Sequence, residues 1–374
     1  MDLKLSNKKE LRQITRMTLL TLVVGILAGV IGAVATENYL YRYAEELQEV
    51  SVPLRLAGEK PRPLPGTYEE AVEKIRDQVA PSLVRIYPAA STYGTIAQKV
   101  YEPDDALASG VIVTSDGWLV TDADLFDLYS MSALVAVIGR DVFSITQVKD
   151  DAATGLTLIK VDASNLPVLA FGAADAVQEG DLAFVVPARD SLVASSIESI
   201  RDQNGVIHAA EDLLRYFVLA DELSSDAVGA PVTNSAGELI GFVSDSNLVR
   251  PLHHVMPAIE SILRDGEVVR PVFGASIIDL ASAIGLSDED TQGNDYGAMI
   301  VRDPNNWYVS GAIPGSPADD AGLLNDDVIL EASGETVNSN SPFAEILLDY
   351  EPGQEINLKL ERAGEKIEVK VVLE

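Results

Sequence analysis

The sequence predicts a mainly β chain: an antiparallel barrel region, then a compact α+β module, with one N-terminal transmembrane helix. Three observations predict it. From Ser82 onward, short β-rich runs alternate with turn residues and hardly a helix intervenes, the pattern of a barrel or sandwich. Near Val269 the pattern changes to strands interleaved with capped helices. Met17 to Ala35 is a 19-residue stretch without a charge, close to the ~20 residues that cross a bilayer as a helix.

The N-terminal elements follow from charge. Residues 1–16 carry five basic side chains against two acidic ones, a local balance of +3 in a chain whose formal net charge is −31. Everything beyond them therefore sums to −34. A basic flank before the apolar run, with Tyr39, Tyr41 and Tyr43 after it, matches the positive-inside rule and an interfacial aromatic belt. We expect a cytoplasmic tail over 1–16, an anchor over 17–36, and the remaining domains outside the cytoplasm. Ala33-Val34-Ala35 also reads as a signal-peptide cleavage site, which leaves a cleaved leader as the competing reading. Residues 37–66 hold Pro53, Pro61, Pro63 and Pro65 among charges without a sustained period, which predicts a linker.

Thr67 and Glu70 form a capping box opening a helix with Tyr68, Ala71, Val72, Ile75 and Val79 on one face, and Pro81 ends it. The strand runs are 83–87, 110–121, 133–138, 156–161, 182–187 and 237–244, with Asp116-Gly117 and Ala236-Gly237 where hairpin turns are needed. His254 to Leu263 closes this unit, 67–266, as a helix. In the module over 268–374, strands are expected at Val272 to Ile277, Ala298 to Val301, Val328 to Ala332, Ile356 to Leu360 and Ile367 to Leu373. Ser316 caps a short helix with Pro317 at its first position and Gly322 just after its last turn. Ser341-Pro342 opens another with Phe343, Ile346, Leu347 and Tyr350 on its apolar face.

Composition excludes several classes. A net charge of −31 argues against nucleic-acid binding, since phosphate backbones demand a basic face. The absence of cysteine removes thiol nucleophiles, thiolate metal sites and disulfides together. His208, His253 and His254 are the only imidazoles, too few for an imidazole-rich metal centre, so neither a metal nor a cofactor is expected. Asp288, Asp290 and Gln292-Gly293 imitate the opening of a calcium loop, but the closing position falls on Met299 instead of a bidentate glutamate. The pairs Asp122 with Asp124 and Asp150 with Asp151 carry no sugar-stacking aromatic cluster and read as chance neighbours in an acidic chain.

From residue 68 to the end the sequence resembles the HtrA/DegP family of envelope proteases, which join a trypsin-like double β-barrel to a PDZ domain. GVIVTSDGWLVT resembles the family's strand-turn-strand before its catalytic histidine, GLTLIKV the segment holding its aspartate, and GAPVTNSAGELIGF the run after its nucleophile. SPADDAGLLNDDVIL followed by SGETV is similar to the most recognisable PDZ stretch. The resemblance fails at the chemistry. The family's T-N-x-H-V reads Thr121-Asp122-Ala123-Asp124-Leu125, which puts Asp124 in the imidazole's place. Its T-D-L-A reads Thr154-Gly155-Leu156-Thr157, with Gly155 for the aspartate, and its G-N-S-G-G-P reads Asp226-Ala227-Val228-Gly229-Ala230-Pro231, with Val228 for the serine. Triad catalysis needs a hydroxyl, a base, and a group that orients the base. Asp226 replaces the glycine that lends an oxyanion-hole N–H, and a carboxylate there opposes a contribution worth about 3 to 4 kcal/mol per donor.

The resemblance implies that the PDZ module takes protein C-termini or extended peptides beside a strand edge, the carboxylate held by backbone N–H groups. Val272-Phe273-Gly274-Ala275 is similar to that carboxylate loop, and Ile346 and Leu347 would line the far wall of the groove. Phe273 either fills the carboxylate pocket or forms its apolar floor. Asp326 replaces a glycine expected before Asp327. The family also implies a homotrimer or a mixed assembly with an active homologue. The expected function is a membrane-anchored pseudoprotease that acts as an adaptor or regulatory scaffold. One alternative is an active endopeptidase rebuilt from Ser224 or Ser225 with one of the three histidines; another is a structural envelope component.

Overall fold

A six-residue strand, β1 (Leu83–Pro88), opens the first of two closed barrels in this computed structural model. The structure describes residues 67–374 apart from 91–94, 96–99, 188–191, 203–204 and 305–309. The tail over 1–16, the anchor over 17–36 and the linker over 37–66 lie outside the described residues. Among the described residues no helix is long and apolar enough to cross a membrane.

Helix α1 (Tyr68–Val79) starts where the capping box places it, with Thr67 accepting the Glu70 N–H at 3.2 Å. Its Ile75 and Val79 are buried in the core of the second barrel. That burial stabilises by roughly 1.5–3 kcal/mol per side chain.

The first barrel runs β1, β2 (Ala108–Ile112), β3 (Trp118–Asp122), β6 (Leu156–Val161), β5 (Asp141–Asp151) and β4 (Leu134–Ile138) in spatial order. Val84, Ile86, Ile112, Leu119, Ile145 and Ile159 fill it. The second runs β10 (Arg215–Leu219), β13 (Leu248–Pro251), β12 (Leu239–Asp245), β11 (Pro231–Thr233), β7 (Leu182–Val185) and β8 (Val193–Asp202). Phe184, Phe217 and Phe242 are buried there among Val255 and Ile259 of α3 (Leu252–Asp265), the closing helix.

Between β8 and β10 the chain leaves the second barrel and forms a two-residue strand, β9 (His208–Ala209). This strand belongs to a third sheet, whose order is β19 (Glu365–Val372), β18 (Glu355–Arg362), β16 (Val328–Ala332), β15 (Ala298–Ile300), β14 (Ser276–Asp279) and β9. The short β17 (Glu335–Thr336) pairs with β16. Helices α4 (Pro317–Asp320) and α5 (Phe343–Leu347) complete the module, and Ser316 caps α4 by accepting the Asp319 N–H at 3.3 Å.

The structure departs from the expected elements in three places. The strand expected over Val272 to Ile277 begins at Ser276, because Gly274 takes φ +78° and breaks extended pairing. Strands β5, β8, β9, β10, β11, β13 and β17 add to the expected runs; β5 is mostly solvent-facing, so its polar sequence lacks the alternation that marks a half-buried strand. The closing helix extends to Asp265 with Gly266 as a left-handed cap.

Candidate functional site

The sequence directs attention to two places: the ends of β3 and β6, and the loop before β14. At the first, antiparallel pairing sets Asp122 opposite Leu156, so the chain after β3 and the chain before β6 leave the barrel side by side. Asp124 then opens α2 (Asp124–Leu128), its N–H donating to Asp122 Oδ1 at 3.2 Å. Burial raises the Asp122 carboxyl above its usual range, and the neighbouring Asp124 charge adds to the rise. Gly155 closes a turn by donating its N–H to Asp151 O at 3.0 Å.

The third position arrives from the second barrel. Val228 follows a single 3-10 turn, Ser225–Ala227, and is half-buried. Gly229 behind it takes φ +80° and packs so closely that a Cβ there would lie 2.7 Å from both Asp122 N and Ser109 O. The fold therefore brings the backbones bearing Asp124, Gly155 and Val228 to one junction between the barrels. Of Asp226 only the backbone, within the 3-10 turn, is described.

The Asp150–Asp151 pair dissolves into separate contacts. Asp150 accepts from Thr157 Oγ1 at 2.6 Å. Asp151, 1% exposed, accepts from Arg270 Nε at 2.7 Å and Arg270 Nη2 at 2.6 Å, and from Thr154 Oγ1 at 2.6 Å. Arg270 Nη2 also donates to the carbonyl of His254 at 2.7 Å. In the calcium-like segment Asp290 is taken by Ser287, whose N–H and hydroxyl donate to it at 3.0 and 2.6 Å, and Met299 is buried in β15. Gln292 bridges to Asp326 O at 2.5 Å and to the Gly364 N–H at 3.0 Å.

The three histidines all lie where the barrel meets the third sheet. Glu345 on α5 receives His254 Nε2 at 2.9 Å, His253 Nε2 at 3.5 Å and Arg215 Nη1 at 3.0 Å. Burial pushes the Glu345 carboxyl up, but hydrogen bonds from His253 and His254 and the Arg215 charge outweigh it and hold it at about 2. Burial pushes His254 down to about 4, so at neutral pH it is an uncharged imidazole. An ionised carboxylate only accepts, so His254 carries its proton on Nε2. The three ligand atoms of His253, His254 and Glu345 lie within 4.8 Å of one another. Arg215 already neutralises that carboxylate, and we assign no cation to the cluster. His208, in β9, has Nδ1 2.9 Å from Ala209 O.

Around the loop before β14 the proposed peptide residues separate. Val272 pairs with the C-terminus, its N–H donating to Glu374 O at 2.7 Å, and its side chain is exposed. Phe273 is fully buried and meets Phe343 edge-on, ring centroids 4.9 Å apart, so it is an apolar floor. Ile346 and Leu347 are buried in the same core as Phe273 and Ala275. Gly274 is required: a Cβ would sit 2.3 Å from Ser316 Cβ, while Ser316 Oγ donates to Gly274 O at 2.8 Å. The loop's N–H groups are taken by Glu211, whose Oε1 accepts from Phe273 and Gly274 at 2.5 Å each. Sequence reasoning missed Glu211, Arg215, Arg270 and Glu345. Only the His253-His254 doublet, which the structure places in the first turn of α3, hinted at a buried polar network.

Two closed antiparallel barrels, followed by a sheet with a glycine loop beside its strand β14, define a trypsin-like architecture joined to a PDZ-type module. Comparison with known proteins agrees. The family model for the trypsin-like peptidase domain matches residues 108–242, and that for the PDZ domain matches 282–373. The chain is similar to the HtrA type of this class. It is 28% identical over 291 residues to a probable periplasmic serine endoprotease, DegP-like, of Chlamydia pneumoniae, covering 74% of this chain and 56% of that one. It is 24% identical to the serine endoprotease DegS of Haemophilus influenzae, covering 79% of this chain and 85% of the relative. The chain thus spans about half the length of the DegP-like relatives it matches. Two solved structures share the fold: the HtrA-type protease AlgW with a tripeptide (TM-score 0.58, 20% identity, 81% of this chain and 96% of that one) and with a decapeptide (TM-score 0.57, 18% identity, 81% and 98%).

Proposed function

We propose that this chain is a membrane-anchored HtrA-type pseudoprotease whose double barrel, over 67–266, no longer hydrolyses peptides and whose PDZ domain, over 268–374, recognises chain ends outside the cytoplasm. One observation carries the first half. Where the two barrels meet, the backbone bears Asp124, Gly155 and Val228, while all three imidazoles sit at the PDZ junction in contact with Glu345 or with Ala209. A serine nucleophile without a base in reach gains nothing from the fold around it. By the resemblance, Asp226 also stands in place of the glycine that lends an oxyanion-hole N–H.

The second half is supported by the loop from Phe273 to Ala275, whose N–H groups hold a carboxylate, and by the peptides in the AlgW structures. The periplasmic relatives, and the charge asymmetry about residues 17–36, support an extracytoplasmic location with the N-terminus cytoplasmic. The protein would then serve as an adaptor or regulatory subunit, as a homotrimer or beside an active homologue.

The names of the relatives favour a second reading, an active serine endopeptidase using relocated residues. A fluorophosphonate probe on residues 37–374 separates the two. Covalent labelling of any serine sinks the pseudoprotease reading; a blank reaction beside a labelled active relative supports it. A purely structural role predicts that no C-terminal peptide binds the same protein below about millimolar, where binding is worth only ~4 kcal/mol.

A further inference from the structure

The edge of the PDZ sheet is not open. Residues His208 to Glu211, on the connection from β8 to β10 of the second barrel, lie along β14 as its antiparallel neighbour. Ala209 stands opposite Ser276 and His208 opposite Ile277, and the Ala210 N–H donates to Ala275 O at 2.8 Å. Running antiparallel to β14, the segment advances toward the glycine loop, and there Glu211 delivers a carboxylate oxygen to the N–H groups of Phe273 and Gly274 at 2.5 Å each. Ala210 is fully buried in the module's core with Phe273, Ile277, Ile346 and Leu347.

Each part reproduces what strand addition with C-terminal carboxylate capture requires: a main-chain ladder, one buried side chain, and an anion held by backbone N–H groups. The chain does not end at Ala210, so the anion comes from the next side chain instead of a terminus. We propose that His208–Glu211 is a built-in pseudo-ligand that closes the groove, and that its competitor is a chain end with a free carboxylate and a small apolar last residue. This rests on the peptide-recognition reading above.

Size selectivity follows from the floor. Phe273 and Phe343 fill the space beneath the groove, and the buried group they leave room for is a methyl. Beside the plug lies a cavity of about 310 Å³, lined by His208 itself with Ile277, Asp279, Ala298 and Phe343, and by the exposed Val206 and Ile284. A longer competing peptide can bury apolar side chains there. The C-terminal end of the plug is held in place: Asp212 closes a turn by accepting the Ala209 N–H at 2.9 Å, and Arg250 Nη1, on β13 of the barrel, donates to Leu213 O. A tethered ligand acts at a high effective concentration, so a free peptide sees only the fraction of molecules whose groove is open.

The test uses residues 37–374 and a synthetic peptide copying residues 205–210, Gly-Val-Ile-His-Ala-Ala, with a free C-terminus, against its C-terminal amide. Glu211→Ala is expected to bind the free acid at least about tenfold more tightly than the wild type, the factor by which the closed state suppresses affinity. Glu211→Gln, which keeps the size and one acceptor, is expected to fall between, and the amide to bind neither variant comparably. Hydrogen exchange gives the independent measurement: the Gly274 and Ala210 amides should be protected in the wild type and exchange faster in Glu211→Ala. Equal affinity in wild type and variant overturns the plug and leaves peptide recognition standing. Unchanged exchange at Gly274 also overturns it. Faster exchange with no peptide bound to either protein overturns the recognition reading and this proposal with it.

Discussion

His254 Nε2 donates to Glu345 Oε1 at 2.9 Å, which ties the closing helix of the second barrel to the helix that walls the PDZ groove. The imidazole is fully buried and neutral, and the carboxylate is charged.

That pairing makes stability fall with acid. An unfolded histidine takes up its proton near 6.5, whereas the folded His254 stays neutral until about 4. Between those values the unfolded chain binds more protons, so stability drops as pH falls through the window. Glu345, held at about 2 against an ordinary 4.5, adds a second loss below about 4.5. The urea midpoint is expected to decline from pH 7 to 4.5, and His254→Asn to remove most of that slope. A slope unchanged in the variant would assign it to other groups.

Arg270 is the sole bidentate partner seen for Asp151 among the described contacts, and Asp151 is 1% exposed. Arg270→Met leaves a buried carboxylate without its cation, which typically costs about 3–5 kcal/mol. Chemical denaturation should register a loss of that order. By contrast Lys149→Ala, which removes a pair with the well-exposed Glu267, should change stability by less than about 1 kcal/mol.

Phe273→Ala removes a fully buried ring from its contact with Phe343 and should destabilise the protein by about 3–5 kcal/mol. Thermal unfolding checks it. Were the ring a mobile plug in the carboxylate loop, the loss would be far smaller.

Gly274→Ala places a methyl against Ser316 in a backbone region that side chains rarely adopt. The expected cost is about 1–3 kcal/mol, and the loop N–H groups should lose their register toward Glu211. Native-state hydrogen exchange at Phe273 reports the second effect separately from the first.

Restoring the nucleophile alone should not restore chemistry. Val228→Ser supplies a hydroxyl at the barrel junction but no base, because Asp124 stands where the resemblance expects an imidazole. Fluorophosphonate labelling of Val228→Ser is expected to stay at background. Labelling at the rate of an active relative would reveal a base that the geometry does not supply.

The sequence by itself determined much. Thr67 with Glu70, and Ser316 with Pro317, fixed two helix starts, because a cap is a local bargain between one side chain and one N–H. Short apolar runs between turn residues located strands such as β2, β3 and β6, which are buried along nearly their whole length. Motif order disclosed both domains, since that comparison needs only residue identity along the chain. Only the tertiary structure decided the rest. The solvent-facing β5 and the two-residue β9 carry too little hydrophobic pattern to be read, and each exists because a neighbouring strand offers unpaired N–H and C=O groups. Arg270 with Asp151 and Glu345 with His254 join residues 119 and 91 positions apart, and no local rule links them. Glu211 is the sharpest case: an ordinary acidic residue in a loop becomes a terminal carboxylate's counterpart only because the barrel carries it 62 residues along the chain to Phe273.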